Sequence, residues 1–243
     1  MLSNLNQKSI YLPSHKLVMS KIFKLSKCLN TQQNNPNFDK LIYLAKSFLA
    51  ENKIIALPTD TVYGLAANVQ SFDAIHRLYK IKGRDRGKPL AICLGDIDEI
   101  YQYCEVTIPK KLLVQLLPGP ITVVFQNTAE ITKFLNPRTN LIGIRIPKNE
   151  FVRRICRVSG PIALTSANHS LEGSTISVEQ FRDLWPQIDG IFDGGPLNEN
   201  NPKALGSTVI DFSKKGFYTI LREGVLHQST IKLIEEFGLK KSI

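Results

Sequence analysis

The residues with the most chemical capacity fall in a few short segments. Pro58-Thr59-Asp60-Thr61-Val62-Tyr63-Gly64-Leu65 sets two threonine hydroxyls and a carboxylate beside a glycine. It follows an apolar run and reads as a strand-to-helix junction, where backbone N–H groups and the positive end of a helix dipole favour an anion. The same composition suits a plain polar loop with Tyr63 packed beneath it, and local chemistry alone favours that plainer reading. A second segment is basic. Arg77, Lys80, Lys82, Arg84, Arg86 and Lys88 lie within twelve residues, opposed only by Asp85. Lys82-Gly83-Arg84 puts two cations on a bend, a shape able to wrap a polyphosphate through bidentate arginine bonds and a lysine point charge. Lys80 and Arg86 fit a solvated face, which leaves Lys82, Arg84 and Lys88 as ligand candidates.

Thr165-Ser166-Ala167-Asn168 follows an apolar run, and small polar side chains at the C-terminal end of a strand are where α/β sheets hold ligands. An ordinary Asx-type turn would look the same. Arg145 stands between Ile144 and Ile146 and, in a strand, points away from both. A charge so placed needs a partner, and either a structural or a substrate carboxylate would serve. Gly206-Ser207-Thr208, with Arg222 one strand later, is a further polar pair. Several familiar devices are missing from the sequence: a G-x-x-x-x-G-K-[ST] loop, a G-x-G-x-x-G turn and a G-x-S-x-G elbow. Its histidines, at 15, 76, 169 and 227, have no metal-ligand spacing, so no metal ligand is assigned.

The elements that must position these groups follow from periodicity. Phe38, Leu41, Ile42, Ala45, Phe48 and Leu49 recur at helical spacing, with Asn37 as N-cap. A strand is expected at 53–57 and a helix from Ser71 to about Ile81. Strands are expected at 90–94, 121–125, 141–146 and 162–165, bounded by glycine and proline. Ser177 and Gln180 form a capping box for a helix to Trp185. Further strands at 188–192, 207–212 and 218–221 precede a last helix carrying Ile231, Ile234 and Phe237. Interleaved helices and apolar strands predict a single α/β domain around a largely buried sheet.

Residues 1–37 differ from the rest. They carry Lys8, Lys16, Lys21, Lys24 and Lys27 and no acidic residue, so half of the formal +10 charge sits there. This stretch is expected to be mostly a disordered leader. Its acid-free composition also suits a mitochondrial presequence, although its lack of arginine argues against one, and Met19 offers a second start. The basic balance points to an anionic partner such as nucleotide or RNA. No apolar run reaches membrane-spanning length. Cys28, Cys93, Cys104 and Cys156 lack C-x-x-C spacing and read as reduced thiols. Asn168-His169-Ser170 matches a glycosylation triplet by chance.

Taken together and in order, PTDTVYGL, the K-x-R loop with Lys88-Pro89-Leu90, PGPITVVF at 118–125, GIRIP, TSAN, Asp193-Gly194-Gly195, GST and Leu221-Arg222-Glu223-Gly224 resemble the YrdC/Sua5 family of threonylcarbamoyl-AMP synthases. The resemblance spans roughly residues 38–240, and it is greatest to the short animal-type proteins. It implies one YrdC-like domain, 38–243, with a twisted, largely buried mixed sheet flanked by helices and a basic concave face. It implies that L-threonine, bicarbonate and ATP become threonylcarbamoyl-adenylate and pyrophosphate. Mg2+ would accompany ATP, with no permanently bound cofactor. The product would modify tRNA next to the anticodon through a transfer complex, in the cytoplasm and, where the basic leader serves as a presequence, also in mitochondria. Carried over by position, Thr61, Arg145 and Ser207 bind threonine. Arg84, Lys88, Ser166, Ser174 and Arg222 contact ATP. Lys82, Arg84, Ser166 and Asn168 form the catalytic polar tetrad. Cys93 replaces a histidine found in many relatives and is expected only to pack. Asp60 is open between base and structural carboxylate. A noncatalytic RNA-binding protein and a carbamoyl-adenylate enzyme, as in hydrogenase-maturation proteins, are the rival readings.

Overall fold

The computed structural model describes residues 21–25, 36–83, 87–128, 131, 134–170, 172–197 and 205–242. Strands β1 (Ile22–Lys24), β2 (Ile55–Leu57), β3 (Gly64–Asn68), β4 (Ala91–Cys93), β5 (Cys104–Glu105), β6 (Ile121–Asn127), β7 (Leu141–Arg145), β8 (Ile162–Ser166), β9 (Gly190–Asp193), β10 (Thr208–Asp211), β11 (Phe217–Arg222) and β12 (Lys240–Lys241) form one sheet. Helices α1 (Pro36–Ala50), α2 (Phe72–Lys82), α3 (Ile100–Tyr103), α4 (Lys110–Leu116), α5 (Glu150–Ser159) and α6 (His227–Glu236) accompany it. The strand order is β1-β9-β2-β3-β8-β4-β7-β6-β10-β11-β12, with β5 paired to β6. Pairing is mixed: β2–β3, β3–β8, β8–β4 and β7–β6 are antiparallel, whereas β4–β7 and β6–β10 are parallel.

The two faces of the sheet are covered differently. Leu65, Ala67, Ile92, Val123, Phe125, Ile142, Ile144 and Ala163 pack with Ile75, Leu78 and Tyr79 of α2 and Leu112, Leu113 and Leu116 of α4. On the other face, Ile55, Leu57, Ala66, Cys93, Ile162, Leu164 and Phe192 pack with Phe38, Ile42, Ala45 and Leu49 of α1 and Phe151, Val152, Ile155 and Cys156 of α5. Arg154 of α5 joins Asp39 of α1 at 2.6 Å across the top of that pair. The helix pair stops at Cys93 and Leu164. Beyond them, the alternate residues Thr122, Val124, Gly143, Arg145 and Val209 face an open cavity.

Three expectations change. Pro58–Tyr63 does not lead into a helix. It joins the antiparallel pair β2–β3, whose register sets Leu57 opposite Gly64, so no helix dipole acts there. The reason is that Gly64-Leu65-Ala66-Ala67-Asn68 is a strand without β-branched or aromatic residues and gives little strand signal. Asn37 lies inside α1, which begins at Pro36, a position where the missing N–H costs nothing. Finally, Ile22–Lys24 falls within the expected leader yet forms strand β1, pairing parallel to β9. Leu25 is fully buried against the α1–α5 layer, and Lys24 forms an ion pair with Asp193. The folded unit therefore includes residues upstream of 38. The Ser71 cap, accepting the Ala74 N–H at 3.2 Å, and the Ser177–Gln180 capping box are present, although the latter opens a 3₁₀ segment, Val178–Gln187.

If β1 is part of the core, Leu25→Ala should lower the unfolding free energy by about 2–5 kcal/mol. Urea unfolding checks this; an unchanged midpoint would mean that the segment does not bear on stability.

Candidate functional site

The cavity encloses about 470 Å³ on the half of the sheet that no described helix covers. Its floor is made of small residues, Gly64, Ala91 and Gly143, where neighbouring strands carry bulk. A Cβ at Gly64 would lie 2.8 Å from Leu164 Cδ1 and 3.2 Å from the Thr165 carbonyl, so a larger residue would displace the Leu164 side chain and crowd β8 here. Three polar groups stand around this floor.

At one end is Arg145, the last residue of β7 and almost fully buried. Its Nη2 donates to Asp60 Oδ1 at 2.6 Å, Thr61 Oγ1 at 2.6 Å and Thr59 Oγ1 at 3.3 Å. The other Asp60 oxygen accepts the Lys148 N–H at 3.0 Å. The loop is wound on Thr59, whose hydroxyl accepts the N–H groups of Thr61 (3.1 Å) and Val62 (3.2 Å) and donates to the Val62 carbonyl at 2.7 Å. The partner that Arg145 requires is thus the structural carboxylate Asp60, which offsets the burial of its charge. Both Asp60 oxygens are thus engaged, one by Arg145 and one by the Lys148 N–H, as befits a structural counter-ion. Arg145 Nε is buried and has no hydrogen-bond partner among the described residues. Thr61 packs behind Arg145, and Thr59 is the loop hydroxyl that lines the cavity.

Cys93 stands opposite Arg145 in the β4–β7 register and also lines the cavity. Burial pushes its thiol up to about 12, with Arg145 pulling it down and Asp60 up, so it is a neutral packing group. Tyr63 packs beneath the loop against Phe181. Its hydroxyl donates to the Gly195 carbonyl (2.8 Å) and accepts the Gly194 N–H (2.9 Å), with Asp193 Oδ1 3.2 Å away. Burial, then the Asp193 charge, raises its pKa. Burial pushes Asp193 up as well, but bonds from Lys24 and the Gly195 N–H outweigh it and hold the carboxyl below its usual range. The Asp193-Gly194-Gly195 segment is accordingly an anchor for the loop's underside.

The opposite wall holds Ser207 and Arg222. Arg222 donates from Nε (3.1 Å) and Nη2 (2.9 Å) to the Ser207 carbonyl and from Nη2 to Ser207 Oγ at 3.0 Å. Ser207 Oγ lies 2.8 Å from Thr122 Oγ1. Thr122 is a cavity hydroxyl that motif reading overlooked, and Thr59, read there only as one of two loop hydroxyls, is another. Thr122 sits in the Pro118–Phe125 segment on the face opposite Val123, and strand alternation would have found it.

The third group is Lys82, which does not lie on an exposed bend. It ends α2, is 2% exposed, and is followed by Gly83 as a left-handed cap. Its ammonium donates to the Ser166 carbonyl (2.7 Å), the Asn168 side-chain oxygen (2.9 Å) and the Asn168 carbonyl, with Ser166 Oγ at 3.3 Å. Asn168 in turn donates to the Glu172 carbonyl at 2.7 Å. Lys82 and Asn168 therefore brace the loop from behind, and among the described members of the tetrad it is Ser166 that lines the cavity. Ser174 and Lys88 also line it; Arg84 lies outside the described residues. Within the cavity lining, then, Arg145, Ser207, Ser166, Ser174, Lys88 and Arg222 come together.

The model of the Sua5_yciO_yrdC family, described as telomere recombination, matches residues 47–224. The chain is 45% identical over 197 residues to a threonylcarbamoyl-AMP synthase of Bos taurus, covering 80% of this chain and 71% of that one. With a Homo sapiens threonylcarbamoyl-AMP synthase the identity is 44% over 198 residues, covering 80% and 71%. The crystal structure of P. abyssi Sua5 complexed with L-threonine superposes with a TM-score of 0.76 at 27% identity, covering 91% of this chain and 62% of that one.

The bracing role of Lys82 is separable from any contact with phosphate. Lys82→Met would leave the backbone and side-chain oxygens of Asn168 without the ammonium donor, the Ser166 carbonyl keeping the Asn168 N–H at 3.0 Å, and the unfolding free energy should fall by about 1–3 kcal/mol. A lysine serving only a polyphosphate would leave ligand-free denaturant unfolding unchanged.

Proposed function

We propose a reading that starts from membership: the chain belongs to the YrdC/Sua5 family, and its cavity joins L-threonine at Arg145 to ATP at the Ser166–Arg222 side. The protein is a threonylcarbamoyl-AMP synthase, a nucleotidyltransferase that produces the adenylate used for threonylcarbamoyladenosine in tRNA. The observation that carries the site assignment is Arg145, a buried guanidinium held by one nitrogen while its Nε has no partner among the described residues. That arrangement fits a substrate carboxylate, which accepts charge-assisted bonds from a pre-oriented arginine.

The reaction asks for little covalent help from the protein. The threonine amine attacks the carbon of bicarbonate, losing water to give a carbamate. A carbamate oxygen then attacks the α-phosphorus of ATP, the bond to the β-phosphate oxygen breaks, and pyrophosphate leaves. A carbamate is already nucleophilic, so no activated serine or cysteine is needed, and Cys93 has no part beyond shape. Charge gathers on phosphoryl oxygens as the leaving bond lengthens, and fixed cations answer it. Arg222 and Lys88 line the cavity where they could do so, with Ser166 and Ser174 as neutral donors. Among the described residues, no group of three or more His, Cys, Asp or Glu side chains could hold a metal. The lining of hydroxyls and cations suits Mg2+ that arrives on the triphosphate, where it would neutralise phosphate charge.

The experiment is mass detection of threonylcarbamoyl-AMP from the purified chain. Product should require ATP, threonine and bicarbonate together; pyrophosphate release that ignores threonine would sink the reading. Arg145→Gln is best compared with an Asp60→Asn parent, so that no buried carboxylate is stranded. Loss of the guanidinium should raise the threonine KM about ten- to hundredfold with little change for ATP. An unchanged threonine KM would remove Arg145 from the assignment.

A further inference from the structure

We propose that Thr122 is a positioning residue that aims the Ser207 hydroxyl proton at an anionic oxygen of the threonine-derived substrate. This rests on the reading of Ser207 as a threonine contact. Thr122 and Ser207 are buried to 4% and 1% exposure, and their hydroxyl oxygens lie 2.8 Å apart. Arg222 Nη2 donates to Ser207 Oγ at 3.0 Å, and an arginine can only donate, so one lone pair of Ser207 is committed. Two proton arrangements then remain for the pair.

In the first, Thr122 donates to Ser207. Both lone pairs of Ser207 are then filled, and its own proton has only the cavity side open to it. In the second, Ser207 donates to Thr122, which leaves a Ser207 lone pair facing the cavity. An anionic oxygen beside Ser207 needs a donor and is repelled by a lone pair, so it selects the first arrangement. The Thr122 hydroxyl is what turns a two-way group into a one-way donor. Thr122 also stands opposite Arg145 in the antiparallel β6–β7 register, which brings that donor and the guanidinium to one side of the sheet. Shape alone does not require threonine here. Ile121, Val123 and Val124 flank it, and valine would fill the same outline in a strand.

The test uses the full chain with Thr122→Val, Thr122→Ser and Ser207→Ala. Pyrophosphate release is measured with threonine and ATP varied separately, alongside thermal melting. Thr122→Val should raise the threonine KM about threefold to tenfold, leave the ATP KM in place and keep the melting temperature, while Thr122→Ser restores the wild-type value. A wild-type threonine KM in Thr122→Val, with Ser207→Ala impaired, overturns the inference and leaves the Ser207 reading standing. A wild-type threonine KM in Ser207→Ala removes that reading, and the inference with it. A Thr122→Val defect that lowers the melting temperature, or falls on ATP, or is not restored by serine, also overturns it. Should Thr122→Val fail to fold, Thr122→Ala takes its place under the same criteria.

Discussion

A guanidinium buried at the end of a central strand constrains much of what surrounds it. Burying the Arg145 guanidinium inside the sheet is costly without a counter-charge and acceptors, and the β2–β3 loop supplies both. Asp60 neutralises it, Thr61 and Thr59 accept from it, and the loop keeps its shape because Thr59 ties its own backbone. One ion pair thereby joins the middle of the sheet to a segment that is distant in sequence. The loop's underside is secured by the hydroxyl of Tyr63 on the Asp193–Gly195 turn, and Lys24 of β1 completes that set.

The second determinant is the unequal cover of the sheet. The α1–α5 pair shields β2, β3 and β8 and ends at Cys93 and Leu164, which belong both to that core and to the cavity lining. What lies past them is lined by glycine, alanine, threonine and valine, side chains small enough to leave room above the strands. Polar groups enter from three directions: the β2–β3 loop, the Ser166–Asn168 loop braced by Lys82, and the Ser207–Arg222 wall. Each is held by bonds to backbone carbonyls or N–H groups, so the site is set by the fold more than by flexible side chains.

Much of this could be read from the sequence. Apolar runs marked the strands β4, β6, β7, β8 and β10, and the helix from Ser71 followed from its cap and periodicity. The need for a partner at Arg145 was legible because a charge flanked by Ile144 and Ile146 has few alternatives. Its identity was not, since Asp60 and Arg145 meet only once β2–β3 folds back over β7. Lys82 was misplaced for a similar reason: a lysine before a glycine looks exposed, and only the tertiary packing of α2 on the Ser166–Asn168 loop buries it. β3 escaped notice because its residues are small, and β1 because it lies in a basic, polar stretch. Thr122 was hidden among β-branched neighbours that it resembles in every respect but its hydroxyl.

The open half of the sheet has a thermodynamic side. Leu141, Val124, Val209 and Leu164 line a space that no helix fills among the described residues, so part of the apolar burial that folding normally completes is left undone. A molecule occupying that space does for β6, β7 and β10 what α1 and α5 do for their neighbours. Occupancy and folding are then linked by mass action, because whatever binds the native chain and not the unfolded one draws the equilibrium toward the native state. The endurance of the protein is in this way tied to the supply of its own substrates.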